Sequence, residues 1–477
     1  MKQHRFTLLF VIFGLIMTAG IGRYFWLRQS QSQRPDPLPQ DPFIQVYANQ
    51  NQAKGADYTE PYRPLERPGD DLEQVVVDAI KTAKSSVDVA VQELRLPKIA
   101  QALADRHKVG VKVRVILENT YNRPWSELYP GEVSQLQPRA RDRYDEFVAL
   151  VDRDKNGSLT AEEIKNGDAL AILRDAGIPI LDDTADGSKG SGLMHHKFVA
   201  IDRATVVTGS ANFTTSGIHG DFRPTSSRGN ANHLLVIKNA PLTQHFTEEF
   251  NILWGDGPGG KPNSKFGLKK PFRPAKQLKI GESVVTLQFS PISPTRAWNL
   301  SSNGLIGKTL NRATQSVRLA LFVFSEQPLA NILETKHQQG ASISALIDPS
   351  FAYPNYSEAL DMLGVALSKG CKYEANNQPW SSPISTVGVP QLPPGDKLHH
   401  KFGVVDERIV ITGSHNWSAA ANHTNDETLL VIENPVVAAH FEREFERLYK
   451  NAVLGVPTRL QKKIAAQHQN CAELNPN

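Results

Sequence analysis

Histidine, lysine and asparagine recur together in this chain at one fixed spacing. His195, Lys197, Asp202, Gly209, Ser210 and Asn212 form the pattern His-x-Lys-x4-Asp-x6-Gly-Ser-x-Asn, and His399, Lys401, Asp406, Gly413, Ser414 and Asn416 repeat it. Six matching residues met twice in register do not arise from composition. One imidazole can attack phosphorus while a second, protonated, gives its proton to the departing oxygen. The lysines are point charges for non-bridging phosphate oxygens, and the asparagine amides add neutral donors. Together these groups suit phosphodiester chemistry. Taken singly they are weak signals, because His-x-Lys is usually a surface pair and Gly-Ser-x-Asn often a turn. Asp202 and Asp406 each end an apolar run and are placed with the catalytic set as supports, with the start of a turn as the alternative. Ser210 and Ser414 are read as substrate-binding, with capping of a following helix as the alternative.

The elements that must position these groups are legible as a duplication. Val87 to Val91 alternates like a strand, a helical stretch runs to His107, and Gly110 to Leu117 is a second strand. Val317 to Phe322 and Gly340 to Ile347 repeat that succession, and short strands at Phe43 to Tyr47 and Val284 to Phe289 open each half. Strand, helix, strand implies βαβ units and a largely buried sheet, hence an α/β fold. On a strand, alternation sends His195 and Lys197 to one face and His196 to the other, and likewise His399 and Lys401 against His400. His196 and His400 are read as structural.

A chain of 477 residues exceeds what one core usually fills, and 40% hydrophobic with 21% charged residues suits a globular protein. The net charge of +4 tolerates an anionic substrate without being the footprint of a dedicated nucleic-acid binder. Cys371 and Cys471 have neither zinc-ligand nor redox-pair spacing, and the sequence leaves a disulfide between them open. Met1 to Arg5 is basic, Phe6 to Gly22 is uncharged and mostly apolar, and Arg23 to Arg28 is aromatic and basic. That order reads as a signal peptide or membrane anchor over 1–29, with an uncleaved anchor favoured; either places the chain outside the cytoplasm. The expected division is a linker at 30–42, a first domain at 43–254, a linker at 255–277, a second domain at 278–450 and a tail at 451–477.

Gly110 to His195 spans 85 residues and Gly340 to His399 only 59, so the first half carries an insert, placed at about 139–173. Within it Asp152, Asp154, Asn156, Ser158, Thr160 and Glu163 fall at alternate positions and the twelfth of an EF-hand loop, with Gly157 at its sharp turn. Ser158 would contribute its backbone carbonyl. Calcium is therefore the expected cofactor, with Arg139–Val151 as entering helix and Thr160–Leu173 as exit. The plainer reading is a capping box between Thr160 and Glu163.

The duplicated motif resembles that of the phospholipase D superfamily, over about Phe43 to Lys450. The resemblance implies two similar α-β-α domains with the active site at their pseudo-twofold interface and the EF-hand inserted in the first. It also implies a phosphohistidine intermediate and no metal in the chemical step. Members often hold the catalytic imidazole with a Glu after the motif. Glu427 has that position in the second half, and Asn232 stands there in the first. The resemblance makes His195 and His399 nucleophile and acid in some order; Glu427 is expected to orient His399 and make it the nucleophile, with His195 as the acid beside Asn232, and the opposite assignment stays open. The leading expectation is a monomeric, membrane-tethered phospholipase D acting on a glycerophospholipid or another phosphodiester. Phosphatidyl transfer, as in cardiolipin synthesis, and an exported nuclease acting on nucleic acid are the alternatives.

Overall fold

The computed structural model describes residues 34–188, 192–374 and 376–474. The expected anchor at 1–29 lies outside the described residues, and among those described no helix is long and apolar enough to cross a membrane. The first sheet contains β1 (Ile44–Ala48), β2 (Ser86–Val91), β3 (Lys112–Leu117), β4 (Ile180–Asp182), β5 (Lys197–Ile201), β6 (Thr205–Gly209) and β7 (His233–Lys238). Its order is β1-β7-β6-β5-β2-β3-β4. The second contains β8 (Lys276–Ile280), β9 (Ser283–Ser290), β10 (Ser316–Leu321), β11 (Ser342–Ile347), β12 (Val387–Val389), β13 (Lys401–Val405), β14 (Ile409–Gly413), β15 (Glu427–Glu433) and β16 (Val453–Leu454). Its order, β8-β9-β15-β14-β13-β10-β11-β12-β16, repeats the first sheet's connectivity in its centre. β2 pairs parallel with β3 and antiparallel with β5, as β10 does with β11 and β13.

Alternation decides which face of each sheet meets which layer. Val87, Val89 and Val91 of β2 pack outward with Leu72, Val76 and Ile80 of α1 (Leu72–Lys81) and Ile99 and Leu103 of α2 (Pro97–Lys108). Val317, Leu319 and Leu321 of β10 pack in the same way under α7 (Ser302–Leu310) and α8 (Gln327–Gln338). Ala90 and Ala320 point the other way, into a core that the two sheets share. That shared core holds α6 (Ala240–Trp254) and α9 (Pro435–Tyr449). Each is capped by an asparagine, Asn239 or Asn434, and buries phenylalanines four apart: Phe246 and Phe250, Phe441 and Phe445. Each buried ring contributes about 2 kcal/mol by removal from water. The halves therefore join through a continuous apolar layer.

Several expected connectors are folded. Residues 34–42 are strapped down: Arg34 pairs with Asp57, Gln40 brackets Val46, and His440 and Arg443 donate to the carbonyls of Pro39 and Asp36. Lys270, in the expected linker 255–277, is buried between Glu249 of the first half and Asp426 of the second, each at 2.6 Å. The expected tail adds β16 to the second sheet and then forms α10 (Thr458–Leu474), fastened by a Cys371–Cys471 disulfide. Composition misled in these places because polar residues can satisfy one another in a tether that is also an interface.

The insert enters on α3 (Pro138–Val151), close to expectation. The single exit helix expected over Thr160–Leu173 is instead two, α4 (Ala161–Gly167) and α5 (Ala169–Asp175). Asp168 breaks it by turning its carboxylate to Leu170 N and to Ser126.

Candidate active site

Both motifs sit where the halves touch. His195 N donates to the Asp426 carbonyl at 3.0 Å, and Asp426 N returns a bond to the Leu193 carbonyl at 2.8 Å. The pseudo-equivalent exchange joins His399 N to the Ala231 carbonyl and Ala231 N to the Lys397 carbonyl. Each histidine is thus clamped by the backbone of the opposite half, one residue before that half's orienting side chain. The orienting groups therefore cross over. Nδ1 of His195 donates to Glu427 at 2.8 Å, and Nδ1 of His399 to the amide oxygen of Asn232 at 3.0 Å. The expected pairing of Glu427 with His399 is overturned, because the contact is made between halves and not within one.

Asn232 is locked in orientation, since its amide nitrogen donates to the Gly217 carbonyl at 2.8 Å. The motif serines complete these clamps. Ser210 donates to Asn232 at 2.8 Å and Ser414 to Glu427 at 2.6 Å, and both are fully buried. Neither is placed to bind substrate, and neither caps a helix; Thr214 and Ser418 do that. The motif glycines are explained by the same geometry. A Cβ on Gly209 would lie 2.2 Å from the His233 carbonyl oxygen, and one on Gly413, at φ +136°, would lie 2.2 Å from that of Thr428. Only glycine lets the next serine reach its partner.

Asp202 and Asp406 leave the site altogether. Each begins a hairpin turn of two residues at positive φ, about 17 Å along the strand from its lysine. Asp202 accepts from the amides of Lys84, Ser85 and Ser86, and Asp406 from those of Thr314, Gln315 and Ser316. They tie the hairpin to the start of the central strand and cannot touch a phosphate held by the histidines.

His196 and His400 point into the shared core as expected. His196 donates to Glu249 and accepts from Thr428, at 2.9 Å each. His400 donates to Glu444 at 2.8 Å and meets His233 at 2.9 Å. Since its Nε2 carries the proton, its Nδ1 accepts from His233, whose Nε2 takes the Thr412 hydroxyl at 2.6 Å.

Lys197 and Lys401 are buried, and each ammonium donates to the carbonyl of its own motif histidine, at 3.0 and 2.7 Å. Burial pulls Lys197 down to about 7 against the pull of Glu427 and Glu93. Lys401 falls well below its ordinary value, first through burial and then through Lys197. His195 and His399 are both pulled well below the ordinary imidazole range by burial and the two lysines. Both are therefore neutral in the free site, with Nδ1 protonated and Nε2 bare. A bound anion would offset the lysines and favour return of a proton to one imidazole. Asn212 donates to the amide oxygen of Gln92 at 3.2 Å, a contact that the motif spacing does not foretell.

One family, described as "Cardiolipin synthase, PLD-like domain", matches residues 76–254 and 306–449, which takes in both motifs. The chain belongs to this family. Curated proteins similar to this chain include mitochondrial cardiolipin hydrolases. That of Xenopus tropicalis is 30% identical over 30% of this chain and 58% of its own length. The human protein is 29% identical over 30% of this chain and 49% of its own length. The chain thus spans about half the length of the curated relatives it matches. Among solved structures, phosphatidylserine synthase from Haemophilus influenzae covers 94% of this chain and 98% of its own, with a TM-score of 0.50 at 12% identity. That likeness extends the PLD-like fold over both halves.

Away from the histidines, the insert brings one carboxylate oxygen from each of Asp152, Asp154 and Glu163 to within 4.8 Å of one another. Its other expected ligands are turned to the loop itself. Asn156 accepts from Ser158 N, and Thr160 donates its hydroxyl to Glu163. Glu163 also takes Thr160 N and Arg153 N, so the capping box is present.

Proposed function

We propose that the chain cleaves or exchanges phosphodiester bonds of glycerophospholipids through a phosphohistidine on His195. The observation that carries this reading is the crossed clamp: His195 alone has a buried carboxylate on Nδ1. A phosphorylated imidazole that keeps its Nδ1 proton is cationic, and Glu427 stabilises that charge where Asn232 stabilises none beside His399. Nε2 of His195 bonds to phosphorus as the phosphorus–oxygen bond to the leaving alcohol breaks, and Nε2 of His399 gives that oxygen its proton. Lys197, Lys401, Asn212 and Asn416 hold the non-bridging oxygens. Water or an alcohol then loses its proton to His399 and takes the phosphoryl group as the nitrogen–phosphorus bond breaks.

Hydrolysis and phosphatidyl transfer use the same steps and differ only in the acceptor. The cardiolipin hydrolase relatives support the first, and the description of the matching family supports the second equally. Rapid quench with a radiolabelled short-chain phospholipid, followed by mapping of the label, tests the intermediate. Label on His195 is expected, and label on His399 would sink the assignment.

We also propose that Asp152, Asp154, Asn156, Thr160 and Glu163, with the Ser158 carbonyl, hold calcium as a structural ion. Calcium at about a hundred times its dissociation constant would raise stability by about 2.7 kcal/mol. A melting temperature blind to calcium, and equally so in Asp152→Asn, would leave only the capping box. The disulfide fits an oxidising compartment, which supports extracytoplasmic placement of a monomer that carries both halves of its site.

A further inference from the structure

The two walls of the site differ at equivalent positions. Gln92 N donates to the His196 carbonyl and Phe322 N to the His400 carbonyl, so Gln92 and Phe322 follow their central strands in the same register beside the motif histidines. Tyr121 N and Phe351 N likewise bond back to the equivalent carbonyls of Glu118 and Asp348. In the first half these positions are spent on internal contacts. Gln92 holds Asn212, and Tyr121 is taken by Arg143, whose guanidinium lies 5.1 Å from the ring and 2.9 Å from its hydroxyl. In the second half they form an aromatic corner. Phe322 stands edge-on to Phe351 at 4.7 Å and tilted against His399 at 4.9 Å, and both phenylalanines are partly exposed. His399 is partly exposed as well, whereas His195 is 6% exposed. His399 is thus the more open of the two motif histidines.

In-line displacement places the leaving oxygen opposite the attacking nitrogen, next to the acid. If His195 attacks, the leaving alcohol emerges beside His399 and therefore against Phe322 and Phe351. By microscopic reversibility the acceptor alcohol enters there. The corner also carries charge. The ammonium of Lys401 already occupies the Phe322 face, 4.9 Å from its centroid. Lys397 reaches Ser350, next to Phe351, at 3.2 Å. The carboxylate beneath, Asp348, is buried and accepts from Ser350 N and Leu398 N. A second cation stacked here would sit close to the Lys401 ammonium, which already takes the Phe322 face and is already paired electrostatically with the buried Asp348 carboxylate.

Resting on the proposed phosphohistidine at His195, we propose that Phe322 and Phe351 form the subsite of the leaving and accepting alcohol. It selects an uncharged alcohol with apolar surface next to its hydroxyl and disfavours one carrying a quaternary ammonium. In the transfer step the alcohol oxygen bonds to phosphorus as the His195 Nε2–phosphorus bond breaks, and the alcohol proton goes to Nε2 of His399.

The test uses the full chain, bis(4-nitrophenyl) phosphate as donor, and choline and 3,3-dimethylbutan-1-ol as competing acceptors. The two acceptors share a shape and differ in charge. Mass spectrometry of the mixed diesters should show the dimethylbutyl product exceeding the choline product by about tenfold. Phe322→Gln and Phe351→Ala should each lower that ratio about fivefold, and Lys397→Met should raise the choline share. Equal products from the wild type, or a ratio that neither aromatic variant changes, overturns the subsite. The burst of 4-nitrophenol separates the two claims. A burst with a charge-blind ratio rejects the subsite alone, while no burst and no phosphohistidine rejects the mechanism beneath it.

Discussion

The two halves share strand order, motif and clamp, yet they place different chemistry on their two histidines. His195 is nearly buried and faces a carboxylate across the interface; His399 is more open and faces an amide oxygen. Symmetry of fold thus does not give symmetry of role. Under the proposed assignment one position, Glu427 against Asn232, makes one imidazole the phosphoryl carrier and the other the proton donor. The same contrast extends outward. The first half spends its wall on Gln92 and Arg143, and the second sets a partly exposed Phe322 against Phe351 and His399.

The strongest way to break this comparison is to remove each histidine in turn. His195→Ala is expected to abolish phosphoenzyme and lower turnover by at least about a thousandfold. His399→Ala should slow alkyl esters by about 10³ but keep a measurable burst with 4-nitrophenyl esters, whose leaving group needs no proton. Equal loss of the burst in both variants would contradict distinct roles.

Exchanging the orienting groups gives the next largest effect. Glu427→Gln should lower phosphoenzyme formation by about a hundredfold, and Asn232→Ala should cost about tenfold or less in the same pre-steady-state assay. The reverse ranking would return the nucleophile to His399.

The pH profile sharpens the comparison without touching a histidine. His195 must be neutral to attack, and its lowered pKa puts the acid limb well below 6.5. Lys197 must be charged to bind phosphate, and with a pKa of about 7 in the free protein it loses that charge as pH rises. With a 4-nitrophenyl diester, whose leaving group needs no proton from His399, kcat/KM should therefore fall above about pH 7, while kcat, measured with the anion bound, falls at higher pH. Lys197→Arg should remove the alkaline limb, because guanidinium stays charged. A limb that persists unchanged in that variant would assign it to another group.

The smallest effect is the one in which the halves should agree. Asp202→Ala and Asp406→Ala each remove a cap on three backbone amides and should each cost about 1–2 kcal/mol of stability by denaturant melt. Neither should change the site of phosphorylation. A selective loss of phosphoenzyme in either, with stability kept, would restore a catalytic part to that aspartate.

Much of this was written in the chain itself. The repeated His-Lys-Asn spacing, the strand alternation that puts His195 and Lys197 on one face, and the βαβ succession are local, and local patterns survive in sequence. So does the glycine before each motif serine, although its reason, a carbonyl 2.2 Å from where a Cβ would stand, is not local. What the sequence could not decide was which orienting group meets which histidine. Glu427 and His195 are 232 residues apart and meet only because β-bridges form across the halves. Ser210 and Ser414 changed from ligands to braces, and Asp202 and Asp406 from catalytic supports to turn caps, through partners in their own half that only folding brings near. Residue type and spacing fix what a side chain is able to do; partners brought in by folding fix what it does, and for the two motif histidines only packing the halves together brings those partners within a hydrogen bond.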